Sequence, residues 1–141
     1  MTDAKRTAVE LSKKYHTNEP FELAEQLGVY TQVGPLGSIF GCCLTIAGQR
    51  FIYINSDLDT PTQKMVAAHE LGHAVMHRED YFFFNWMNDT TYRSRAEIEA
   101  HTFAAELLVP DSVVLEHPGF TLNQLSALTG YAEEFLKFKR V

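Results

Sequence analysis

Cysteine is nearly absent from this chain of 141 residues: there are two, and they are neighbours, Cys42 and Cys43. Adjacent cysteines do not form an ordinary staple with each other and neither has a distant partner, so a disulfide framework is excluded. In an apolar strand they read as plain core and surface positions, with metal binding or redox sensing as the alternative. Basic charge is also short, with 12 Lys and Arg against 18 Asp and Glu, a net charge of -6 and a pI near 5.4. Phosphate contacts need a basic face, so direct nucleic-acid binding is not expected as the main activity. No apolar run approaches membrane-spanning length, and residues 1–15 intersperse charge with apolar positions. Neither a membrane segment nor a signal peptide is therefore expected, and a cytoplasmic location is. Repeats, low-complexity tracts and linkers are missing as well. The 45% hydrophobic and 21% charged fractions are those of an ordinary globular protein of one-domain size.

What stands out against this plain background is His69-Glu70-Leu71-Gly72-His73. On a helix, residues i and i+4 lie one above the other, so both imidazoles can reach one zinc ion while Glu70 addresses a water beside it. The surrounding punctuation predicts that helix from about Pro61 to about His77. Asp59 or Thr60 caps it, Pro61 suits its first turn, and Met65, Val66, Leu71, Val75 and Met76 supply apolar residues around the two histidines. The bland alternative is a core helix with two hydrogen-bonded histidines.

The rest of the chain alternates in period. Residues 4–15 read as an amphipathic helix with Ala8, Leu11 and Tyr15 on one face, followed by a short helix from Pro20 to Leu27 capped by Thr17 or Asn18 and stopped by Gly28. Val29 to Val33, Ile39 to Ile46 and Gln49 to Ile54 read as strands, the last two joined by a tight turn at Ala47-Gly48. The expected sheet is small, three-stranded and antiparallel. Tyr81-Phe82-Phe83-Phe84-Asn85-Trp86 either lines a groove for hydrophobic substrate side chains or folds over the core. A helix is expected from Ser94 to Leu108, ended by Pro110. Thr121 and Gln124 form a capping-box pattern opening a helix to Thr129, Gly130 stops it, and Tyr131 to Lys139 forms the last helix. That final pair, with Leu122, Leu125 and Leu128 inward, reads either as half of a DNA-binding helix-turn-helix or as a helical hairpin covering the core.

A catalytic zinc takes three protein ligands and one open position, so a third donor is needed downstream. The helix at 94–108 offers it. Its apolar stripe runs through Ala100, Ala104, Leu107 and Leu108, and three and seven residues back from Ala100 and Ala104 lies Glu97. A carboxylate on a buried stripe needs a charge partner, and a metal supplies one. Glu99 is the second choice, and His101, at i+4 from Glu97, orients a ligand or replaces Glu97 as donor. His77 continues the i+4 series from His73, but has drifted by roughly 80° from His69 around the helix axis and should miss the metal. It favours instead the negative C-terminal end of its helix.

Over residues 10–111 the chain resembles the ImmA/IrrE family of metallopeptidases of bacteria, mobile elements and phages. The resemblance rests on Phe21 to Gly28, Pro35 to Ser38, Phe51 to Asn55, Ala68 to His73 with His77, and Glu97 to Asp111. It implies an α+β, zincin-like single domain over 1–141, with a catalytic core at about 20–111 and a C-terminal helical hairpin at about 112–141. It also implies His69, His73 and Glu97 as zinc ligands and Glu70 as general base. His101 departs from that pattern, where Asn or Asp is usual. The reaction so implied is hydrolysis of a peptide bond in a protein substrate, a helix-turn-helix repressor encoded nearby. In it zinc lowers the pKa of its water toward ~7 and Glu70 moves the proton. Tyr92, Arg93 and His77 are the candidates for a further oxyanion donor. The alternative from another class is an antirepressor that binds its partner without cutting it.

Overall fold

A computed structural model of the protein describes residues 2–77, 81–84 and 94–139. Two helices, α1 (Asp3–Tyr15) and α2 (Pro20–Gln26), precede strands β1 (Tyr30–Gly34), β2 (Gly41–Ile46) and β3 (Gln49–Asn55). The long helix α3 (Thr60–Met76) leads to strand β4 (Tyr81–Phe84) and helix α4 (Arg95–Leu108). Three short helices, α5 (Asp111–Leu115), α6 (Leu122–Thr129) and α7 (Glu133–Leu136), follow. Among the described residues no helix is long and apolar enough to cross a membrane.

The architecture is the expected α+β arrangement, but the sheet is mixed and carries a fourth strand, in the order β1-β3-β2-β4. β2 and β3 form the predicted antiparallel hairpin, closing through Ala47 at φ 50° and Gly48 at φ 80°. Two successive left-handed residues make the turn whose twist matches the strands, and Ala47 bears a steric cost there that glycine would not. β1 then takes the outer side of β3, parallel to it, from Tyr30↔Phe51 to Gly34↔Asn55. Buried Asn55 explains this crossover. Its Nδ2 donates to the carbonyls of Gly37 (3.0 Å) and Ile39 (2.9 Å), and its backbone N–H donates to the Phe40 carbonyl (2.9 Å). The connection at 35–40 is thereby tied to the end of β3 rather than folding back as a hairpin. The aromatic run contributes β4, antiparallel to β2 from Gly41↔Phe84 to Leu44↔Tyr81, as suits residues of high strand propensity. Asn85 and Trp86 lie outside the described residues.

α3 is the centre of the molecule. The sheet covers one side of it, α2 and α4 pack on others, and α1 packs on the far side of α4. Every residue from Met65 to His73 is buried, which is the condition for a helix that is not amphipathic. Asp59 caps it by accepting from the Thr62 N–H at 2.9 Å. The other end is held from the sheet, where Arg50 Nη2 donates to the His77 carbonyl at 2.6 Å. Ala67, Ala68 and Gly72 keep the helix thin, and Gly72 decides its distance from α4. A Cβ at Gly72 would stand 3.1 Å from the Phe103 ring, 3.2 Å from Ala100 Cα and 3.3 Å from the Ala100 carbonyl oxygen.

Three smaller expectations are corrected. Glu19, not Thr17 or Asn18, caps α2, because its carboxylate reaches two N–H groups, those of Phe21 and Glu22. Thr17 is occupied by the Glu19 N–H and the Glu22 carboxylate. Leu128 is exposed while Leu125 is buried, and the last helix is the short α7, whose Phe135 and Leu136 plug the core. A segment that short presents a core plug, not a recognition helix.

The C-terminal end is tied down by charge. Lys5 of α1 and Lys139 both reach Glu106 of α4 and Asp111, with Lys5 Nζ 3.0 Å from Asp111 and 3.6 Å from Glu106. The two lysine side chains are 8% and 6% exposed and that of Glu106 is fully buried, so these three ions are desolvated together, with half-exposed Asp111 at the rim.

Two stability predictions follow from this packing. Gly72→Ala should cost about 1–3 kcal/mol by urea denaturation, since two of the three nearest atoms are backbone and cannot yield; that loss exceeds the gain of at most ~1 kcal/mol from helix propensity. Glu106→Ala should cost about 1–3 kcal/mol in the same assay, because two buried ammonium groups lose their buried carboxylate and keep only the half-exposed Asp111.

Candidate metal centre

His69 and His73 leave α3 on one face, as the i+4 spacing requires, and α4 crosses that face at Gly72 and Ala100. Glu97 sits one turn before Ala100, in the first turn of α4, where the Ser94 hydroxyl accepts the Glu97 N–H at 3.2 Å. The helix N-terminus favours a carboxylate there. The crossing puts Glu97 Oε1 3.4 Å from His69 Nε2 and Glu97 Oε2 2.6 Å from His73 Nε2. The three donor atoms lie within 4.8 Å of one another. A tetrahedral ion with donors at about 2.0–2.2 Å sets them about 3.4 Å apart, so small side-chain rotations separate this cluster from a coordination shell.

Glu70 occupies the next position around α3, under the start of β2. A Cβ on Gly41 would fall 3.6 Å from Glu70 Cγ, 2.5 Å from Val66 Cγ1 and 2.9 Å from the Tyr53 carbonyl oxygen, so only glycine lets the strand lie this close to the helix. The Glu70 carboxylate is buried, and among the described residues neither oxygen accepts a hydrogen bond. Its nearest basic neighbour is His69 Nε2 at 4.0 Å. A buried carboxylate without donors is costly, by several kcal/mol if charged, and a core built only for stability would not keep it. Two imidazole nitrogens, one carboxylate oxygen and a second carboxylate beside them fit a divalent metal with its water.

The electrostatics of the cluster follow from burial. Burial, and secondarily the charge of Glu97, hold the Glu70 carboxyl well above the usual carboxylate range. Burial would raise Glu97 too, but hydrogen bonds and charge from His69 and His73 overcome it and bring Glu97 far below that range. Burial pushes His69 down to about 4, with His73 adding repulsion against the attraction of Glu97. The same burial, with His69 close by, takes His101 down to about 2. The fold therefore presents His69 as a neutral imidazole, the form that donates to a metal.

Of the other candidates, His101 lies behind His69 with ring centroids 4.2 Å apart, and stacks on Phe138 at 4.7 Å and 17°. It buttresses the His69 ring. Glu99 turns out of the core and approaches His77 and Arg95 instead. His77 stands outside the donor cluster, as expected: it is the C-cap of α3, with extended backbone, φ -122° and ψ 145°. Its ring turns back so that its Nδ1 lies 2.8 Å from His73 Nδ1. The i+4 spacing from His73 already placed the two rings side by side. Tyr92 and Arg93 lie outside the described residues. Cys43 is buried in the core, where burial first and the Glu70 charge second push its thiol up to about 11, so it is inert packing.

The titration shifts set how stability varies with pH in the metal-free protein. His69 and His101 stay neutral in the fold, so from pH 6.5 downward the unfolded chain takes up two protons that the native state refuses. Glu70 works in the opposite sense, keeping in the native state one proton that the unfolded chain releases above pH 4.5. Between pH 4.5 and 6.5 the two histidines outweigh the one carboxyl, and stability should fall on acidification. Urea denaturation of chelator-treated protein across that window checks the slope, and a flat or inverted profile contradicts it.

Comparison with known proteins agrees with this geometry. Residues 24–135 match the family model of the IrrE N-terminal-like domain, a peptidase family. The chain is 36% identical over 134 residues to an uncharacterized immunity region protein 2 of Bacillus phage phi105, covering 92% of this chain and 84% of that protein. It is 29% identical over 121 residues to the metallopeptidase ImmA of Bacillus subtilis (strain 168), covering 82% of this chain and 70% of that one. By the extent of the family match and the identity to the phage protein, the chain belongs to the family of IrrE N-terminal-like peptidase domains.

Proposed function

We propose that the protein is a zinc-dependent endopeptidase that cuts a specific protein partner, a helix-turn-helix repressor. His69, His73 and Glu97 hold the metal in this reading, and Glu70 is the general base. The observation that carries it is the pairing of a three-donor cluster with a buried carboxylate that accepts no hydrogen bond among the described residues. A module that only binds its partner has no use for Glu70 in that place. The resemblance to the ImmA/IrrE family and the similarity to a phage immunity region protein support the choice of a repressor as substrate.

Zinc, when bound, brings the pKa of water toward ~7 and polarises a carbonyl. The chain's own residues do the rest. His69, kept neutral by burial, and His73 face the metal point from two consecutive turns of one helix. Glu97 closes the triangle from α4 and supplies negative charge, which favours a cation over the surrounding apolar core. Glu70 takes a proton from the attacking water and passes it to the leaving amine nitrogen. The charge of a nearby cation also favours the ionised form of Glu70, the form a base needs. His77, already engaged with His73, stands behind the donor cluster and is not assigned the role of oxyanion donor.

The test uses the purified protein, zinc and the repressor encoded beside its gene. Fragments should form, vanish with chelator and return with zinc. Glu70→Gln should retain zinc by metal analysis while cleavage drops at least ~100-fold. Cleavage by that variant at the wild-type rate would remove Glu70 from the role of base. Intact repressor with altered DNA affinity would replace the peptidase by the antirepressor.

A further inference from the structure

His73 is held at both ring nitrogens. Its Nε2 is 2.6 Å from Glu97 Oε2, on the donor cluster, and its Nδ1 is 2.8 Å from His77 Nδ1. On the far side of the His77 ring, Nε2 lies 3.6 Å from Glu99 Oε1, and Glu99 is in turn 3.7 Å from Arg95 Nε. The backbone of His77 is fixed independently: its N–H donates to the His73 carbonyl at 2.9 Å and its carbonyl accepts from Arg50 of β3. A line of groups thus runs from Glu97 through His73 and His77 to Glu99, with both carboxylates drawn from α4.

The proton positions along this line are linked. An imidazole that donates a lone pair from Nε2 carries its ring proton on Nδ1. That N–H then needs an acceptor, and the atom at 2.8 Å is His77 Nδ1. His77 offers a lone pair there only when its own proton sits on Nε2, the nitrogen that faces Glu99. At 3.6 Å the carboxylate is beyond direct hydrogen-bond length and acts through its charge, which favours N–H on the facing nitrogen. One half-buried carboxylate therefore biases the orientation of the lone pair two rings away.

We propose that His77 and Glu99 are positioning residues that fix the tautomer of His73 and so aim its Nε2 lone pair at the metal point. Metal-ligating histidines commonly donate their other N–H to a carboxylate or a carbonyl, and here a second imidazole is interposed between ligand and carboxylate. The inference rests on His73 being a metal ligand, as proposed above.

Two measurements separate this inference from that reading. Long-range proton–nitrogen NMR of the zinc-loaded protein reports the tautomer of each ring. The His77 proton should be on Nε2 in the wild type and should redistribute toward Nδ1 in Glu99→Ala. With zinc bound, a wild-type proton on Nδ1, or a distribution unmoved in the variant, overturns the relay. Competition against a chromophoric chelator then gives zinc affinity, which should fall about 10–100-fold in His77→Ala and in Glu99→Ala. The Glu99 side chain is 34% exposed, so its removal leaves the core intact, and circular dichroism on both variants monitors the fold. Zinc affinity within twofold of wild type in both variants overturns the positioning role. A wild-type protein that binds no zinc instead removes the reading of His73 as a ligand, and the relay with it.

Discussion

The close crossing of α3 and α4 is the constraint on which the rest of the molecule depends. Gly72 on one helix meets the backbone of Ala100 on the other, and no side chain separates them. That approach brings carboxylate and imidazole groups from two helices into contact. His69 and His73 project from α3 on either side of the crossing, while Glu97 and His101 project from α4. A wider spacing, such as a larger residue at Gly72 would impose, would leave two buried polar stripes facing each other across a gap, each short of partners. The sheet answers the same demand from the opposite side, since Gly41 lets β2 approach within reach of Glu70.

The interior so formed is poorly suited to stability. His69, His73, His101, Glu70 and Glu97 are all buried in one region of a small protein. Burial holds two of these imidazoles neutral and keeps a proton on Glu70, and each of those biases has an energetic cost that apolar packing would avoid. Such a conflict between local cost and global fold is the usual mark of a functional region. Compensation is visible elsewhere. α3 is buried all round by Met65, Val66, Leu71 and their neighbours, and the ion cluster of Lys5, Glu106, Asp111 and Lys139 ties the first helix and the C-terminal segment to α4.

Much of the local structure was legible because it depends on neighbours in sequence. The α3 and α4 boundaries, the Ala47-Gly48 turn and the Thr121 capping box each follow from a few adjacent residues, and the structure contains all of them. The parallel placement of β1 was not legible. It depends on buried Asn55 gripping the 35–40 connection, a contact between segments that carries no periodicity. His77 was expected to miss the metal and stands outside the donor cluster, but its approach to Glu99 of α4 was not legible, for the same reason.

The sequence by itself determined which groups share a face: the spacing of His69, Glu70 and His73, and the place of Glu97 on the buried stripe of its helix, follow from the 3.6-residue period. The family resemblance was likewise carried by local stretches. Tertiary structure alone decided which faces meet and how closely. It selected Glu97 over Glu99 as the neighbour of His69 and His73, stacked His101 behind His69, and joined His77 to His73 on one side and Glu99 on the other. Periodicity gives the angle of a residue about its own helix axis, whereas these contacts depend on the separation and crossing of two helices, which packing between distant segments sets.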